Sequence, residues 1–342
     1  MTTWIFGPCS AESREQVMET AGAISAVCGR TPFIFRAGVW KPRTSPRTFQ
    51  GAGEQGLEWL KEVKRTYGVE TATEVATPEH VAAAVNAGID YLWIGARTSA
   101  NPLAVQALAD ALTAQRSVLC QRKRSVLCQP KAVLIKNPVN ADADLWLGNI
   151  ERLEKTGIPV IAVHRGCNHL PCWKMAHIVR TLRPDIPMLL DPSHMSGDAA
   201  RVPELMAKIA ELNLNGSMVE VHTRPDTALS DAKQQITPRQ LQECIEKILD
   251  FTRDVHKTEL NWLRAEIDEL DDALWDTIAA RMDVSRRIGE WKKANGVTPL
   301  QPKRFEQIRS QRMEWAKQNG LDAELIAQVM EAIHKESLKQ QE

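Results

Sequence analysis

Three short segments bring together residue types that bind metal. Gly7-Pro-Cys9 follows a β-like run at 4–6, Asp191-Pro-Ser-His194 follows one at 188–190, and Val219-Glu-Val-His222 closes one at 217–221. In a closed eight-stranded parallel barrel the first and last strands are neighbours. Cys9, His194 and Glu220, with Asp231 in the loop beyond, would then converge on the catalytic rim. A thiolate, an imidazole and two carboxylates make a divalent metal site with open positions, acceptable to manganese, iron, cobalt or zinc.

Cations gather on the same rim. Arg36 ends the second β-like run and Lys41-Pro-Arg-Thr-Ser-Pro46 follows it, stiffened by Pro42 and Pro46. Arg97 stands just past the fourth run, Lys136 ends the fifth and His164-Arg165 ends the sixth. One such residue is an ordinary surface charge; the set argues for a polyanionic, phosphate-bearing substrate. Glu74 ends the third run. HRGCNHLPC (164–172) offers two His and two Cys, but without a CxxC pair, and a zinc site there is not expected. His222 reads either as support for the neighbouring ligand or as a buried, hydrogen-bonded histidine.

These residues need eight strands to hold them. The pattern predicts strands at 4–7, 32–36, 68–74, 91–95, 132–136, 158–163, 187–191 and 216–222. Helices are predicted between them at 12–28, 54–66, 78–87, 101–114, 142–156, 173–182, 198–212 and 238–254. That alternation is an α/β fold, a (β/α)8 TIM barrel over 1–251. RSVLCQRK at 116–123 recurs as RSVLCQPK at 124–131. It is expected to be a tolerated loop extension on the face opposite the chemistry.

After a linker at 252–257 the pattern becomes all-α, over 258–342. No proline falls between Pro238 and Pro299, and apolar residues recur at Leu260, Leu263, Ile267, Leu270, Leu274, Ile278, Met282 and Ile288. This predicts one amphipathic helix from 258 to 294, about 50 Å long at 1.5 Å per residue, too long for so small a domain to cover alone. Further helices are expected at 302–319 and beyond Gly320-Leu-Asp322. Arg281 and Lys292 share one face of the long helix, three turns apart. Arg264 lies about 25 Å from Arg281 and off that face, so only an antiparallel partner helix could bring it to the same ligand.

The 342 residues carry 43 basic and 43 acidic side chains, so no global charge points to nucleic acid or membrane. The start lacks a leader pattern, no apolar run reaches the length of a membrane span, and seven cysteines without disulfide spacing are expected to be reduced. A cytoplasmic protein is expected. With the first strand beginning near Trp4, a regulatory element is expected in the helical region and not ahead of the barrel.

GPCSAES, RAGVWKPRTSP, IGAR, LIKNPVN, HRG, DPSH and VEVH, in this order across 4–250, resemble 3-deoxy-D-arabino-heptulosonate 7-phosphate (DAHP) synthase of the type I β subfamily. The resemblance implies metal-dependent condensation of phosphoenolpyruvate with erythrose 4-phosphate, the first step of the shikimate pathway. By motif, Cys9, His194, Glu220 and Asp231 would hold the metal. Arg97, Lys136 and Arg165 would face the phosphate of phosphoenolpyruvate, and Arg36 and Lys41 its carboxylate. Arg43 and Thr44 would contact erythrose 4-phosphate. Glu74 is the candidate to position water, and Lys41 the candidate to protonate the nascent alkoxide. Pro42-Arg43 favours this reaction over that of the related octulosonate 8-phosphate synthases, and Cys167 stands where the family usually has an aromatic residue.

The tail LRAEIDELDDALWDTIAARMDVSRRIGEWKKANG, with PLQPKR and HKESLKQQ, is similar to an all-helical chorismate mutase of the AroQ class that forms an intertwined dimer. This implies that chorismate is bound by Arg264 of the other chain, Arg281, Lys292, Arg304, Ser337 and Gln341, with Lys292 and Gln341 at the ether oxygen. Gln301 and Phe305 stand at positions the family often fills with acids, and Glu306 is the nearest substitute. The expectation is a bifunctional homodimer of aromatic biosynthesis, restrained by prephenate through the helical domain. The other reading is a condensing barrel with a non-catalytic, ligand-sensing dimer domain.

Overall fold

The computed structural model describes residues 2–42, 47–121, 129–249, 258–298 and 302–341. Eight parallel strands, β1 (Thr3–Gly7), β2 (Ile34–Arg36), β3 (Glu70–Val75), β4 (Tyr91–Ile94), β5 (Ala132–Lys136), β6 (Val160–His164), β7 (Met188–Leu190) and β8 (Gly216–Glu220), close in sequence order. The seam joins β8 to β1 with Glu220 opposite Gly7. The helices of this part are α1 (Arg14–Cys28), α2 (Glu54–Tyr67), α3 (Pro78–Asn86), α4 (Ala96–Ser99), α5 (Pro102–Gln121), α6 (Ala143–Glu154), α7 (Trp173–Leu182), α8 (Pro192–Ser196), α9 (Val202–Glu211) and α10 (Pro238–Leu249).

Strand side chains alternate between the two faces, and this period of two builds the site. Ile5, Ile34, Ala72, Trp93, Leu134, Val163, Leu189 and Met218, one from each strand, form a separate apolar cluster that fills the barrel interior. Outward residues such as Phe6, Phe35, Leu92 and Ile135 pack in a larger cluster with the helices. Two positions beyond each interior residue lies the next inward layer: Gly7, Arg36, Glu74, Gly95, Lys136, Arg165, Asp191 and Glu220. An apolar plug thus supports a ring of charge. At Gly95 a Cβ would run into the Glu74 carboxylate, so the absent side chain makes room for an acid.

The short helices α4 and α8 add to the elements expected from sequence, and two expected elements differ. α5 runs on to Gln121, so the first copy of the repeat begins as helix; Arg116 fastens it by donating to the Thr156 carbonyl at 2.8 Å. The helix expected at 198–212 opens as a 3-10 turn, Ala199–Arg201, before α9. Residues 122–128, which include the start of the second copy, and the proposed linker at 252–257 lie outside the described residues.

The chain divides into compact units at Met1–Glu266 and Ile267–Glu342. The boundary falls inside α11 (Thr258–Ala294), the 37-residue helix that the sequence predicts; α12 (Pro302–Gln318) and α13 (Ala323–Lys339) follow. Within the first unit the opening turns of α11 are well seated. Buried Trp262 meets Trp173 edge-on at 6.0 Å and stacks on His177 at 5.4 Å. His177 in turn contacts Glu266 at 2.7 Å and Glu259 at 3.1 Å. Trp173 continues to His164 and Trp146, beneath the end of β6. No helix among the described residues is long and apolar enough to cross a membrane.

Candidate active sites

The charged ring of the barrel opens on a cavity of about 360 Å³ lined by Arg36, Lys41, Glu74, Arg97, Lys136, Arg165, His194 and Asp231, with Asn168 and His169 from the loop after β6. Cys9 and Glu220 are fully buried beside it. Among the described residues, the ligand atoms of Cys9, Glu220 and Asp231 all lie within 4.8 Å of one another, a grouping suited to a metal ion. His194 stands next to this group, Nε2 lying 3.6 Å from Glu220 Oε1. Its other ring nitrogen is 2.9 Å from Asp191, a contact that orients the ring with Nε2 toward the group. The residues fit a divalent ion. No such cluster forms at HRGCNHLPC among the described residues: His164 Nε2 is 2.7 Å from the Pro171 carbonyl and Cys167 is buried.

The sequence reading assigned no role to several groups that hold these ligands. Asp191 accepts from Lys136 Nζ at 2.5 Å and, as N-cap of α8, from the His194 N–H at 3.1 Å. Gln234 donates to Glu220 Oε2 at 2.7 Å, and Ser193 Oγ accepts from the Glu220 N–H at 3.0 Å. Gln235 Oε1 accepts from the Cys9 N–H at 3.0 Å, while its amide donates to the Ser230 carbonyl at 2.8 Å and so ties the Asp231 loop to β1. Strand alternation would have found Asp191; the glutamines follow Asp231 with no spacing signal. Asp231 has φ 48°, a left-handed conformation that aspartate tolerates better than most residues. His222 accepts from the Arg224 N–H at 2.9 Å and is otherwise buried, the blander of its two readings.

Electrostatics follow from burial and neighbours. Burial, reinforced by Glu220, pushes the Cys9 thiol well up, and the thiol donates to Asp231 at 2.9 Å. Metal binding there must expel a proton. Burial works against the charge of Lys41, but the Glu74 and Glu220 carboxylates keep the ammonium protonated. Its Nζ donates to Cys9 Sγ at 3.1 Å and lies 3.7 Å from Glu74. Asp191 is fully buried, which favours its neutral form, yet His194 and Lys136 hold its carboxyl well below the usual range. Arg36 reaches Glu220 at 3.1 Å and lies over the Trp93 ring; its Nε and Nη1 find no partner among the described residues. Arg97 donates to the Pro42 carbonyl at 3.2 Å. Arg43 and Thr44 fall outside the described residues.

His164 gives a stability prediction. Burial lowers its pKa from 6.5 to about 4. The unfolded chain therefore takes up a proton, between these values, that the folded barrel refuses. The contribution is complete above pH 6.5 and declines as pH falls toward 4, by about 3 kcal/mol in all. Urea unfolding of the first unit at pH 7 and pH 5 should show a drop of about 2 kcal/mol from this residue alone, absent in His164→Gln. Equal pH dependence in the two proteins would show that His164 is not responsible.

The second unit holds its own cavity of about 670 Å³. α11 contributes Arg281 and Lys292, α12 Arg304, α13 Ser337 and the turn after it Gln341, so five of the six residues assigned to this site from sequence meet. Arg281 donates to Ser337, and Lys292 donates to Gln341 Oε1 at 2.8 Å. Arg264 does not line it; it lies exposed in the part of α11 that belongs to the first unit. Glu306 is exposed, 3.9 Å from Arg309, and does not take the place of an acid in the cavity. Gln301 is outside the described residues. Phe305 does line the cavity, stacked on His334 at 3.9 Å; neither His334 nor Arg312 was singled out in the sequence, although 334, 337, 338 and 341 share one helical face.

Residues 2–257 match the family described as "DAHP synthetase I family", and residues 263–342 match "Chorismate mutase type II". A phospho-2-dehydro-3-deoxyheptonate aldolase of Thermotoga maritima is 33% identical over 254 residues, covering 72% of this chain and 68% of that one. The crystal structure of a phospho-2-dehydro-3-deoxyheptonate aldolase (DAHP synthase) from Thermotoga maritima superposes with a TM-score of 0.61 at 29% identity, covering 76% of this chain and 70% of the other. A 2-dehydro-3-deoxyphosphooctonate aldolase of Azoarcus sp. is 41% identical over a shorter stretch of 92 residues, 26% of this chain and 33% of that one. The chain belongs to the DAHP synthetase I family, and its helical unit is a type II chorismate mutase domain.

Proposed function

We propose that the barrel condenses phosphoenolpyruvate with erythrose 4-phosphate to DAHP and phosphate, and that the helical unit, as a homodimer, converts chorismate to prephenate, which restrains the condensation. One observation carries the first half: six of the eight residues in the inward layer above the apolar plug are charged, and the cations around the cavity interleave with a metal-ligating set.

Cys9, His194, Glu220 and Asp231 would hold the divalent ion. When bound, it supplies a Lewis acid for the aldehyde oxygen of the second substrate. Arg36, with two unpartnered guanidinium nitrogens among the described residues, and Lys41 face the carboxylate of phosphoenolpyruvate. Lys136, Arg165 and Arg97 take its phosphate, with Asp191 keeping the Lys136 ammonium in place. As C3 attacks the aldehyde carbon, protonated Lys41 gives a proton to the new alkoxide. Glu74 orients the water that adds at C2, after which the C–O bond to phosphate breaks. Arg43 and Thr44 are assigned to erythrose 4-phosphate on motif alone.

In the helical unit, Arg281, Arg304 and the other chain's copy of Arg264 are proposed to bind the dicarboxylate, and Lys292 and Gln341 to stabilise charge on the ether oxygen as it breaks. The dimer reading is supported by an apolar stripe left exposed along α11: Ile267, Leu270, Leu274 and Trp275.

The test follows phosphoenolpyruvate consumption by the metal-loaded protein, with erythrose 4-phosphate and arabinose 5-phosphate in parallel, and separately chorismate loss. Turnover with erythrose 4-phosphate and with chorismate is expected. Prephenate should slow the first reaction, and Arg281→Ala should relieve that inhibition. Preference for arabinose 5-phosphate would refute the condensation reading; unchanged chorismate would leave the helical unit a sensor.

A further inference from the structure

The helical cavity is rich in donors and poor in acceptors. Arg281, Lys292, Arg304 and Arg312 line it, and no carboxylate does among the described residues. Ser337 is engaged by Arg281 and by the Ile333 carbonyl, and Gln341 Oε1 by Lys292. A dicarboxylate satisfies the cations. A ring hydroxyl on the same ligand would still need an acceptor, because a buried hydroxyl without one is costly.

His334 is placed to provide it. Its ring lies almost parallel to Phe305, with centroids 3.9 Å apart and 18° between planes. A ring clamped by its face presents its nitrogens edge-on, and among the described residues they form no hydrogen bond. The charged groups that line the cavity with it are Arg281 and Lys292 from α11 and Arg304 and Arg312 from α12, all cations, and the first two act on it directly. Burial, then Arg281 and Lys292, lower its pKa, so the imidazole is neutral near pH 7 and keeps one lone-pair nitrogen. Phe305 can clamp this ring but has no polar atom of its own.

We infer that His334, held flat by Phe305, accepts the hydroxyl of the ligand's ring and sets the preference of the helical site for a hydroxylated dicarboxylate. The inference rests on the chorismate reading and names a contact that reading does not supply. Ser285, which also lines the cavity from α11 between Arg281 and Lys292, is the competing acceptor.

The test compares kcat/KM of the full-length protein for chorismate and for the analogue with hydrogen in place of that hydroxyl. His334→Leu, His334→Gln and Ser285→Ala are run beside the parent protein, so intrinsic reactivity differences between the two substrates cancel. Parent protein should favour chorismate. His334→Leu should lose about tenfold or more on chorismate and little on the analogue, collapsing the preference. His334→Gln, which keeps an acceptor, should recover most of it. The parent preference should fade as acidification protonates the imidazole, while that of His334→Gln should not. Equal losses on both substrates in His334→Leu, or a preference that follows Ser285→Ala instead, would overturn the assignment. No chorismate turnover by the parent protein would overturn the mutase reading and this inference with it.

Discussion

Cys9→Ala should lose condensing activity by more than about a hundredfold while chorismate turnover stays within about twofold of the parent. Cys9 Sγ touches Asp231 at 2.9 Å and Lys41 at 3.1 Å, so its removal takes a donor from the metal set and a partner from the proposed general acid. The other cavity is built entirely from the second compact unit. Metal titration of the variant should show weakened binding, and His194→Ala should behave alike. Phosphoenolpyruvate consumption at the parent rate in metal-free Cys9→Ala would refute the ligand set.

Equal amounts of Arg264→Ala and Arg281→Ala chains, each nearly inactive alone as a mutase, should recover activity when mixed. Arg281 lines the helical cavity and Arg264 does not. With random exchange in a two-fold symmetric dimer, half the dimers are mixed and one of their two sites has both arginines, so recovery should approach about a quarter of the parent activity. Continued inactivity after demonstrated subunit exchange would confine the site to one chain.

The barrel was legible because alternation of short strands and helices leaves few alternatives, and because a period of two puts Arg36, Glu74, Lys136, Arg165 and Glu220 on one layer once the strands are placed. Helical spacing likewise marked Arg281 and Lys292. Pairing across the ring was not legible: Lys136 at the end of β5 meets Asp191 just past β7 across the curve of the sheet, which no local spacing encodes. The same holds for Gln234 and Gln235, which reach back from the last loop to Glu220 on β8 and to Cys9 just past β1. The extension of α5 was missed because a repeated segment suggests a loop, whereas its first six residues continue the helix. His334 escaped notice because a lone histidine on a helix is ordinary until Phe305 is seen against it.

The tryptophans divide by environment. In the first unit Trp4, Trp93, Trp146, Trp173 and Trp262 are at most 5% exposed and Trp40 and Trp59 are partly buried, whereas Trp275, Trp291 and Trp315 in the second are 63%, 61% and 46% exposed. Indole emission moves to longer wavelength in water, so the chain carries two colours of intrinsic fluorescence, a blue one from the barrel and a red one from the helices. Loss of structure in the barrel can be followed optically without a label, because its buried indoles then meet water. A partner helix covering Trp275 would draw part of the red emission toward the blue as chains associate.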